Sequence, residues 1–467
     1  MVASEATPFA KTGGLADVVG ALSAALHRRG EEVAIALPRY RSVPLEGAQC
    51  VQDHLGVWLA AGAFHSASVW RAVHREVPYY FIDCAPLYDR PGIYGEAADY
   101  PDNHVRFAVL SQAALALVRY HWRPDVLHCH DWQTALVPIY IRTRLSGDPT
   151  FMGLRTLLTV HNLGYQGIYP KEILPQIGLD DAVFHPEALE FFGEVNLLKG
   201  GLRFADAVNT VSPTYAREIQ TPELGFGLDD LLRARDETLH GILNGADYAE
   251  WNPETDPHLA ARYSAADLSG KRACKQALLA ELGLPAEALD RPLAGMVSRL
   301  DSQKGFDLLQ EASAELTAED LSLAALVTSS PRSEGFLRAW AAAHPQKIAV
   351  RVAYDEPLAH RIMAGADLLL MPSRYEPCGL SQIYALRYGA VPVVRVTGGL
   401  ADTVDETTGF RFQEYTVAAL LQALRQALAA WRDRAAWMER MRRGMARDFS
   451  WEVSAARYSE LYRALTA

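Results

Sequence analysis

Two cations five positions apart, Arg299 and Lys304, stand in the string Ser298-Arg-Leu-Asp-Ser-Gln-Lys-Gly305, directly after an apolar run at 292–297. On a strand-to-helix loop they supply two fixed positive charges, suited to holding a diphosphate while it leaves and gathers negative charge. The same pair reads equally as a solvated couple on an exposed turn. A second string, Pro372-Ser-Arg-Tyr-Glu-Pro-Cys-Gly-Leu380, sets Glu376 after the apolar run 367–371. A carboxylate there can bind hydroxyls or stabilise positive charge, or simply sit at a helix start where the dipole favours it. His130-Asp131-Trp132 and His161-Asn162 close two more apolar runs, and Tyr354 follows a third. Asp131 and Trp132 would give a sugar a hydrogen-bonding edge and an apolar platform, although core packing explains the Trp as well. A satisfied structural histidine explains His161 as well.

Lys11 precedes Gly13 and Gly14 without the spacing of a Walker loop, and Thr12-Gly-Gly-Leu-Ala-Asp17 recurs letter for letter as Thr397-Gly-Gly-Leu-Ala-Asp402. Adjacent glycines at a helix start expose backbone N–H groups that can cradle an anion. Two loop-to-helix starts of like sequence are the plainer account. There is no close carboxylate pair of the glycosidase kind, no Gly-x-Ser-x-Gly elbow and no His-Glu-x-x-His helix.

These groups need elements to carry them. Short Val-, Ile- and Leu-rich runs at 33–37, 77–82, 125–129, 155–160 and 205–211 read as strands, as do 292–297, 321–328, 347–352, 367–371 and 391–396. Helical patterns lie between them at 103–120, 133–145, 214–219, 305–316, 334–343, 356–364 and 380–388. Runs this apolar, alternating with helices, predict parallel sheets covered on both faces. Two such series predict two doubly wound domains, whose ligands bind beyond the carboxyl ends of the strands. The candidate residues occupy just those ends. Turn residues concentrate at 240–257, so the join is placed there: an N-terminal domain 1–240 and a C-terminal domain 241–448, with a terminal helix at 449–467 packing back on the first.

The chain has 467 residues, is 49% hydrophobic and 22% charged, and carries 45 Lys and Arg against 56 Asp and Glu, a net charge of −11. That field repels phosphates, so a general nucleic-acid or acidic-membrane binder is disfavoured and any phosphate-binding charge must be local. Five scattered cysteines without a Cys-x-x-Cys pair fit reduced thiols rather than a zinc site or disulfide frame. The opening residues show neither a basic nor an apolar targeting segment, and no apolar run approaches the ~20 residues that span a bilayer. A cytoplasmic enzyme is the expectation.

Taken together, Lys11 to Leu22, His130-Asp-Trp132, Thr159 to Gly167, Val211 to Glu218, Leu243-Asn-Gly245, Ser298 to Gly305, Pro372 to Leu380 and Thr397 to Asp402 resemble bacterial glycogen synthase and plant starch synthase, glycosyltransferase family 5, in the family's order along nearly the whole chain. The resemblance implies the GT-B fold, two Rossmann-like domains facing across a deep cleft. It implies transfer of glucose from ADP-glucose to the non-reducing end of an α-1,4-glucan with retention at the anomeric carbon. It further implies catalytic roles for His161, Arg299, Lys304 and Glu376. Donor contacts would come from Lys11, Gly13, Gly14, Asn244, Tyr354 (stacked on adenine), Cys378, Gly379 and Leu380. Tyr94, Asp131, Trp132 and Gln303 would border the acceptor. No cofactor or metal is implied, and no nucleic-acid or membrane partner.

Two departures stand out. The family opens with a complete strand before its Glu-x-x-Pro segment, whereas only Met1-Val-Ala-Ser precedes Glu5 here, so a central strand beside the Lys11 loop is expected to be short. The family's glycine turn after the second strand of the C-terminal domain is replaced by Val327-Thr-Ser-Ser-Pro-Arg332, next to the nucleotide side. A related transferase using UDP-glucose, an inactive glucan-binding scaffold and a two-domain sugar-binding protein are the competing readings.

Overall fold

The computed structural model describes residues 1–59, 63–96, 98–328 and 334–467. Of the unusual turn only Val327 and Thr328 are among them; 329–332 lie outside the described residues. The chain divides into two compact units, residues 1–245 with 451–467, and residues 246–450.

The first unit carries β1 (Ile35–Pro38), β2 (Gln49–Trp58), β3 (Phe64–His74), β4 (Val77–Asp83), β5 (Val126–His130), β6 (Arg155–Val160), β7 (Ile168–Tyr169), β8 (Glu190–Phe191), β9 (Glu194–Asn196), β10 (Ala207–Thr210) and β11 (Leu239–Gly241). One four-strand set runs β1-β4-β3-β2 and another β11-β10-β6-β5. Val2 joins them, bridging in parallel to Ala36 on one side and Cys129 on the other, with its N–H donating to the His128 carbonyl at 2.8 Å. The opening residues therefore occupy the centre of the sheet, and the chain leaves this point toward opposite edges through β1 and β5.

The all-parallel expectation fails at one edge. β2, β3 and β4 pair antiparallel, and β7, β8 and β9 form a small antiparallel sheet of their own. β2 buries only Leu55 and Val57 of its ten residues, so it has no continuous apolar run to betray it. An edge ribbon solvated on one face follows the alternating rule instead.

The C-terminal helix Trp451–Thr466 belongs to the first unit. Its Trp451, Ala455, Tyr458 and Leu461, at helical spacing, pack with Val18, Leu22, Ala25 and Leu26 of the helix Gly14–Arg28. A cavity of about 410 Å³ lies against Met1, Leu26, Ile35, Ala114, Val126 and Tyr462, among the amino ends of these strands, and reaches His128.

The second unit holds β12 (Leu293–Arg299), β13 (Ser322–Thr328), β14 (Ile348–Val352), β15 (Leu368–Met371), β16 (Val391–Arg395) and β17 (Phe410–Phe412), parallel throughout in the order β14-β13-β12-β15-β16-β17. Its strands are mostly apolar, with polar residues chiefly toward their ends, because both faces are covered. In β13, Leu323, Ala325 and Val327 enter one core while Ala324 and Leu326 enter the other. Strand order reverses between β12 and β15, the topological switch point at which open α/β sheets bind ligands.

Candidate active site

The carboxyl ends of β12 and β15 open side by side at that switch point. Arg299 is the last residue of β12, and Asp301 then caps a turn at Ser302–Lys304, its carboxylate accepting the Gln303 N–H at 3.0 Å. Gly305 follows with φ +77°, and a Cβ there would stand 2.1 Å from the Pro372 carbonyl oxygen. The turn thus needs glycine twice over, for its backbone conformation and for its close approach to the loop after β15. The Arg374 N–H donates to the Gln303 carbonyl at 2.8 Å and ties the same two loops together.

Between them the Lys304 ammonium reaches both oxygens of Glu376, at 2.8 and 2.7 Å, and the Ser373 hydroxyl donates to Oε2 of Glu376 at 3.0 Å. The Lys304 side chain is 17% exposed and that of Glu376 5%. Glu376 is therefore no helix-start carboxylate held by a dipole; it is one half of a buried ion pair. Arg299 is half-exposed, its guanidinium 3.7 Å from Asp301. Cys378 is buried, Gly379 lies in the left-handed region at φ +72°, and Leu380 precedes the helix Ser381–Arg387. Tyr354, beyond β14, is 69% exposed, presenting a ring in the same unit.

In the first unit the loop after Val2 contains a residue that the sequence reading passed over. Glu5 is 3% exposed. It accepts hydrogen bonds from the Thr12 N–H, from the Thr12 hydroxyl at 2.7 Å, from the Gly13 N–H at 3.2 Å and from the Tyr94 hydroxyl at 2.5 Å. Burial, and then the charge of Glu5, drives the Tyr94 phenol well above its ordinary range, so it stays a donor. This corrects the anion-cradle reading: the N–H groups of Thr12 and Gly13 are already taken by a carboxylate. Lys11 is ion-paired with Asp17 at 2.9 Å.

The repeated motif plays the same part at its second site with a different acceptor. There the Gly399 N–H donates to the main-chain carbonyl of Glu376 at 3.1 Å. Gly398, at φ +43°, would set a Cβ 1.9 Å from that oxygen, so only glycine fits. The second copy thus braces the Glu376 loop from behind.

Asp131 follows β5 at φ +57°, and its Oδ1 accepts the His161 N–H at 2.7 Å. His161 Nε2 lies 3.1 Å from His130 Nδ1, and the adjacent His128 bonds the hydroxyls of Thr159 and Tyr462, both at 2.7 Å. Burial lowers His161 to about 3 and takes His128 and His130 well below their ordinary value, so the three rings are neutral. Asn244 is buried, and its Oδ1 has no hydrogen-bond partner among the described residues.

Trp132 needs a correction as a sugar platform. It is 8% exposed, edge-on to Phe107 with ring centroids 5.2 Å apart, and Gly167 covers it so closely that a Cβ would lie 2.4 Å from its ring. Gln303, expected on the acceptor side, lies in the Lys304 turn of the second unit.

Burial raises the Asp131 carboxyl to about 7, against the pull of the His161 and Asn162 N–H groups. A folded-state value above the unfolded one stabilises the fold while the group is protonated, and that contribution is lost as pH rises through about 7. Asp131→Asn, which keeps an acceptor for the His161 N–H, is expected to flatten the loss of stability between pH 5 and pH 8. Denaturant midpoints at the two pH values measure it; an unchanged difference would show that Asp131 is ionised throughout.

Two domains, each doubly wound on a parallel sheet and each bringing polar groups to its strand ends, define a GT-B glycosyltransferase. The model of the starch synthase catalytic domain matches residues 1–234, and that of glycosyl transferases group 1 matches residues 285–444. The glycogen synthase of Anaeromyxobacter sp. (strain Fw109-5) is 52% identical over 100% of this chain and 99% of its own, and that of Koribacter versatilis is 46% identical over 98% and 96%. Among solved structures, the catalytic domain of starch synthase IV from Arabidopsis thaliana, bound to ADP and acarbose, superposes with a TM-score of 0.92 at 35% identity over 100% of this chain and 98% of that one. Sucrose-phosphate synthase from Thermosynechococcus elongatus, at 20% identity and a TM-score of 0.64, shares the fold. The chain belongs to the glycogen and starch synthase family.

Proposed function

We propose that this chain transfers glucose from ADP-glucose to the 4-hydroxyl at the non-reducing end of an α-1,4-glucan, retaining the anomeric configuration. The observation that carries the reading is the buried Lys304–Glu376 pair, seated with Arg299 at the switch point of a six-stranded parallel sheet. Such a site holds positive charge for a leaving diphosphate beside a carboxylate for the sugar it leaves.

As the bond from the anomeric carbon to the phosphate oxygen breaks, negative charge gathers on the diphosphate and positive charge on the sugar ring. Lys304, held from below by Glu376, is aligned before the donor arrives, so little reorganisation accompanies the charge shift. Arg299, half-exposed, closes on the outer phosphate oxygens. Glu376 faces the developing oxocarbenium charge and holds glucosyl hydroxyls. With both oxygens engaged by Lys304 and Ser373, it acts as a charge stabiliser rather than a nucleophile. Retention then follows from attack on the face that the diphosphate leaves. The exposed ring of Tyr354 stacks on the adenine, with Cys378, Gly379 and Leu380 lining the donor.

His161, neutral and fixed by Asp131 and His130, gives the glucosyl unit a hydrogen-bonding group that does not compete for the phosphates' charge. The unpartnered Oδ1 of Asn244 accepts from a sugar hydroxyl, and Lys11 with Gly14 completes the donor contacts, the Gly13 N–H being held by Glu5. Tyr94 and Asp131 border the glucan. The diphosphate's charge is met by side chains, so no metal or cofactor is required.

A donor screen tests this reading. ADP-glucose with glycogen or maltooligosaccharide is expected to release ADP and lengthen the glucan, faster than UDP-glucose does and equally well with chelator present. Loss of initial rate on chelation overturns the metal-free step, faster turnover of UDP-glucose overturns the donor assignment, and no transfer from either donor leaves a glucan-binding scaffold as the function.

A further inference from the structure

We propose that Phe192 and Phe226, with Tyr165 beside them, form a platform in the first unit that holds an α-1,4-glucan outside the transfer site. The proposal rests on the glucan assigned to this chain above and adds a second contact for it. Both phenylalanines stand in two-residue turns. Phe191 and Glu194 pair across the hairpin of β8 and β9, which leaves Phe192-Gly193 as its turn, with φ +52° and +86°. In the other turn the Leu228 N–H donates to the Gly225 carbonyl at 2.8 Å, and Phe226-Gly227 between them has φ +50° and +80°. Positive φ at both central positions defines a type I′ turn, which favours Asn, Asp or Gly at the first of them. A bulky ring in that place strains the backbone. Arg75-Glu76, between β3 and β4, meets the same demand with polar side chains, as a surface turn ordinarily does. Twice, however, the chain sets phenylalanine there and leaves the ring in solvent, Phe192 83% and Phe226 38% exposed. Folding gains little from rings so displayed, and exposed apolar groups gathered in one place mark a contact surface.

The two turns adjoin: a Cβ on Gly227 would stand 2.9 Å from the Phe191 ring and 3.5 Å from that of Phe192. Gln166, buried, ties them to the loop that leaves β6. Its Nε2 donates to the carbonyls of Leu163 and Phe226, at 3.1 and 3.2 Å, and its Oε1 accepts from Asn196 Nδ2 at 2.5 Å. That loop begins at His161, assigned above to the glucosyl unit, and carries Tyr165, 53% exposed. The rings are therefore continuous, through one bonded loop, with the sugar-binding side of the first unit. Their surroundings favour a neutral, hydroxyl-rich polymer. An aromatic face, negative at its centre, attracts the weakly positive C–H groups of a pyranose ring. Glu190 and Glu194 stand two residues to either side of Phe192, and Glu223 three before Phe226. Carboxylates accept from sugar hydroxyls and repel phosphates. Three rings on separate turns make discrete stacking faces, whereas a protein partner calls for a continuous, closely packed apolar core.

Phe192→Asn/Phe226→Asn gives both turns a residue they favour, so the double variant is expected to melt no lower than the wild type. Its KM for glycogen, with ADP-glucose as donor, is expected to rise about 10-fold, the product of two lost aromatic contacts. Its kcat, and its kcat/KM with maltotriose, are expected to stay at wild-type values. Retardation by glycogen in native gels, run without donor, is expected to weaken in step. Wild-type KM and retardation in the double variant overturn the platform. An equal loss with maltotriose also overturns it, since the rings would then belong to the transfer site. So does a change from dimer to monomer on sedimentation with glycogen retention unchanged, which would give the patch to a second copy of this chain. The gel without donor reads the platform alone. A wild type retarded through these rings that transfers from neither ADP-glucose nor UDP-glucose therefore refutes the transferase reading and supports the platform.

Discussion

Lys304→Ala is expected to lower kcat/KM for ADP-glucose with a maltooligosaccharide acceptor by about 10²–10³-fold, the range found when one preorganised donor to a developing anion is removed. The substitution acts twice. It takes the ammonium away from the leaving diphosphate, and it strands the Glu376 carboxylate, 5% exposed, without its counter-charge. Breaking a buried pair from one side costs on the order of 3–5 kcal/mol. Part of the lost activity would therefore come from the unpaired Glu376 carboxylate rather than from the missing ammonium. A double-mutant cycle separates the two effects: if Lys304 and Glu376 act as one unit, Lys304→Ala/Glu376→Ala is expected to be little slower than the worse single variant. Near-normal turnover by a folded Lys304→Ala protein would sink the diphosphate assignment.

Glu376→Ala is expected to reduce kcat by about 10²-fold or more with a smaller change in the KM for donor, since its interaction with the ring strengthens only as positive charge develops. The stranded group is now an ammonium, free to bind ground-state phosphate more tightly, which would lower KM further relative to kcat. Glu376→Gln keeps the acceptor for Ser373 and the shape of the site but removes the charge. If electrostatic stabilisation is the role, the glutamine variant should be nearly as slow as the alanine one. If the carboxylate only positions Lys304, the glutamine should restore most of the rate. An unchanged kcat in either variant would leave Glu376 as a structural partner of Lys304 alone.

The strands that carry the site were legible because full burial leaves a plain mark. β6 and β12 to β16 lie between two covered faces, so their middle positions are mostly apolar, and each run could be read within a residue or two. The same mark is absent where a strand is half-solvated, which is why the ribbon β2–β3 escaped notice although it pairs from Gln49–Arg71 to Trp58–Phe64, with two shifts of register on the way. Polar residues at the ends of the buried runs were legible for a related reason. Arg299, Glu376, Asp131 and His161 each lie at or just beyond the carboxyl end of a mainly apolar stretch, and a polar group in that place must reach solvent, a partner or a ligand.

Partners were not legible. Nothing in the spacing of Glu5 and Thr12, or of Lys304 and Glu376, says that these side chains meet, because their contacts depend on which strands neighbour one another and on loops closing at a reversal of strand order. The repeated Thr-Gly-Gly-Leu-Ala-Asp motif shows the division well. Its letters set two helix starts with bare N–H groups, and for those an anion is as good a partner as a carbonyl. Only the tertiary structure supplied the acceptors: the carboxylate of Glu5 at one, the backbone of Glu376 at the other. The charge pattern divides in the same way. Composition sets a net charge of −11 and hence a need for local cations. The fold decides that one of them, Lys304, is buried against a carboxylate at the switch point, where low dielectric makes a single charge count for far more than it would on the surface.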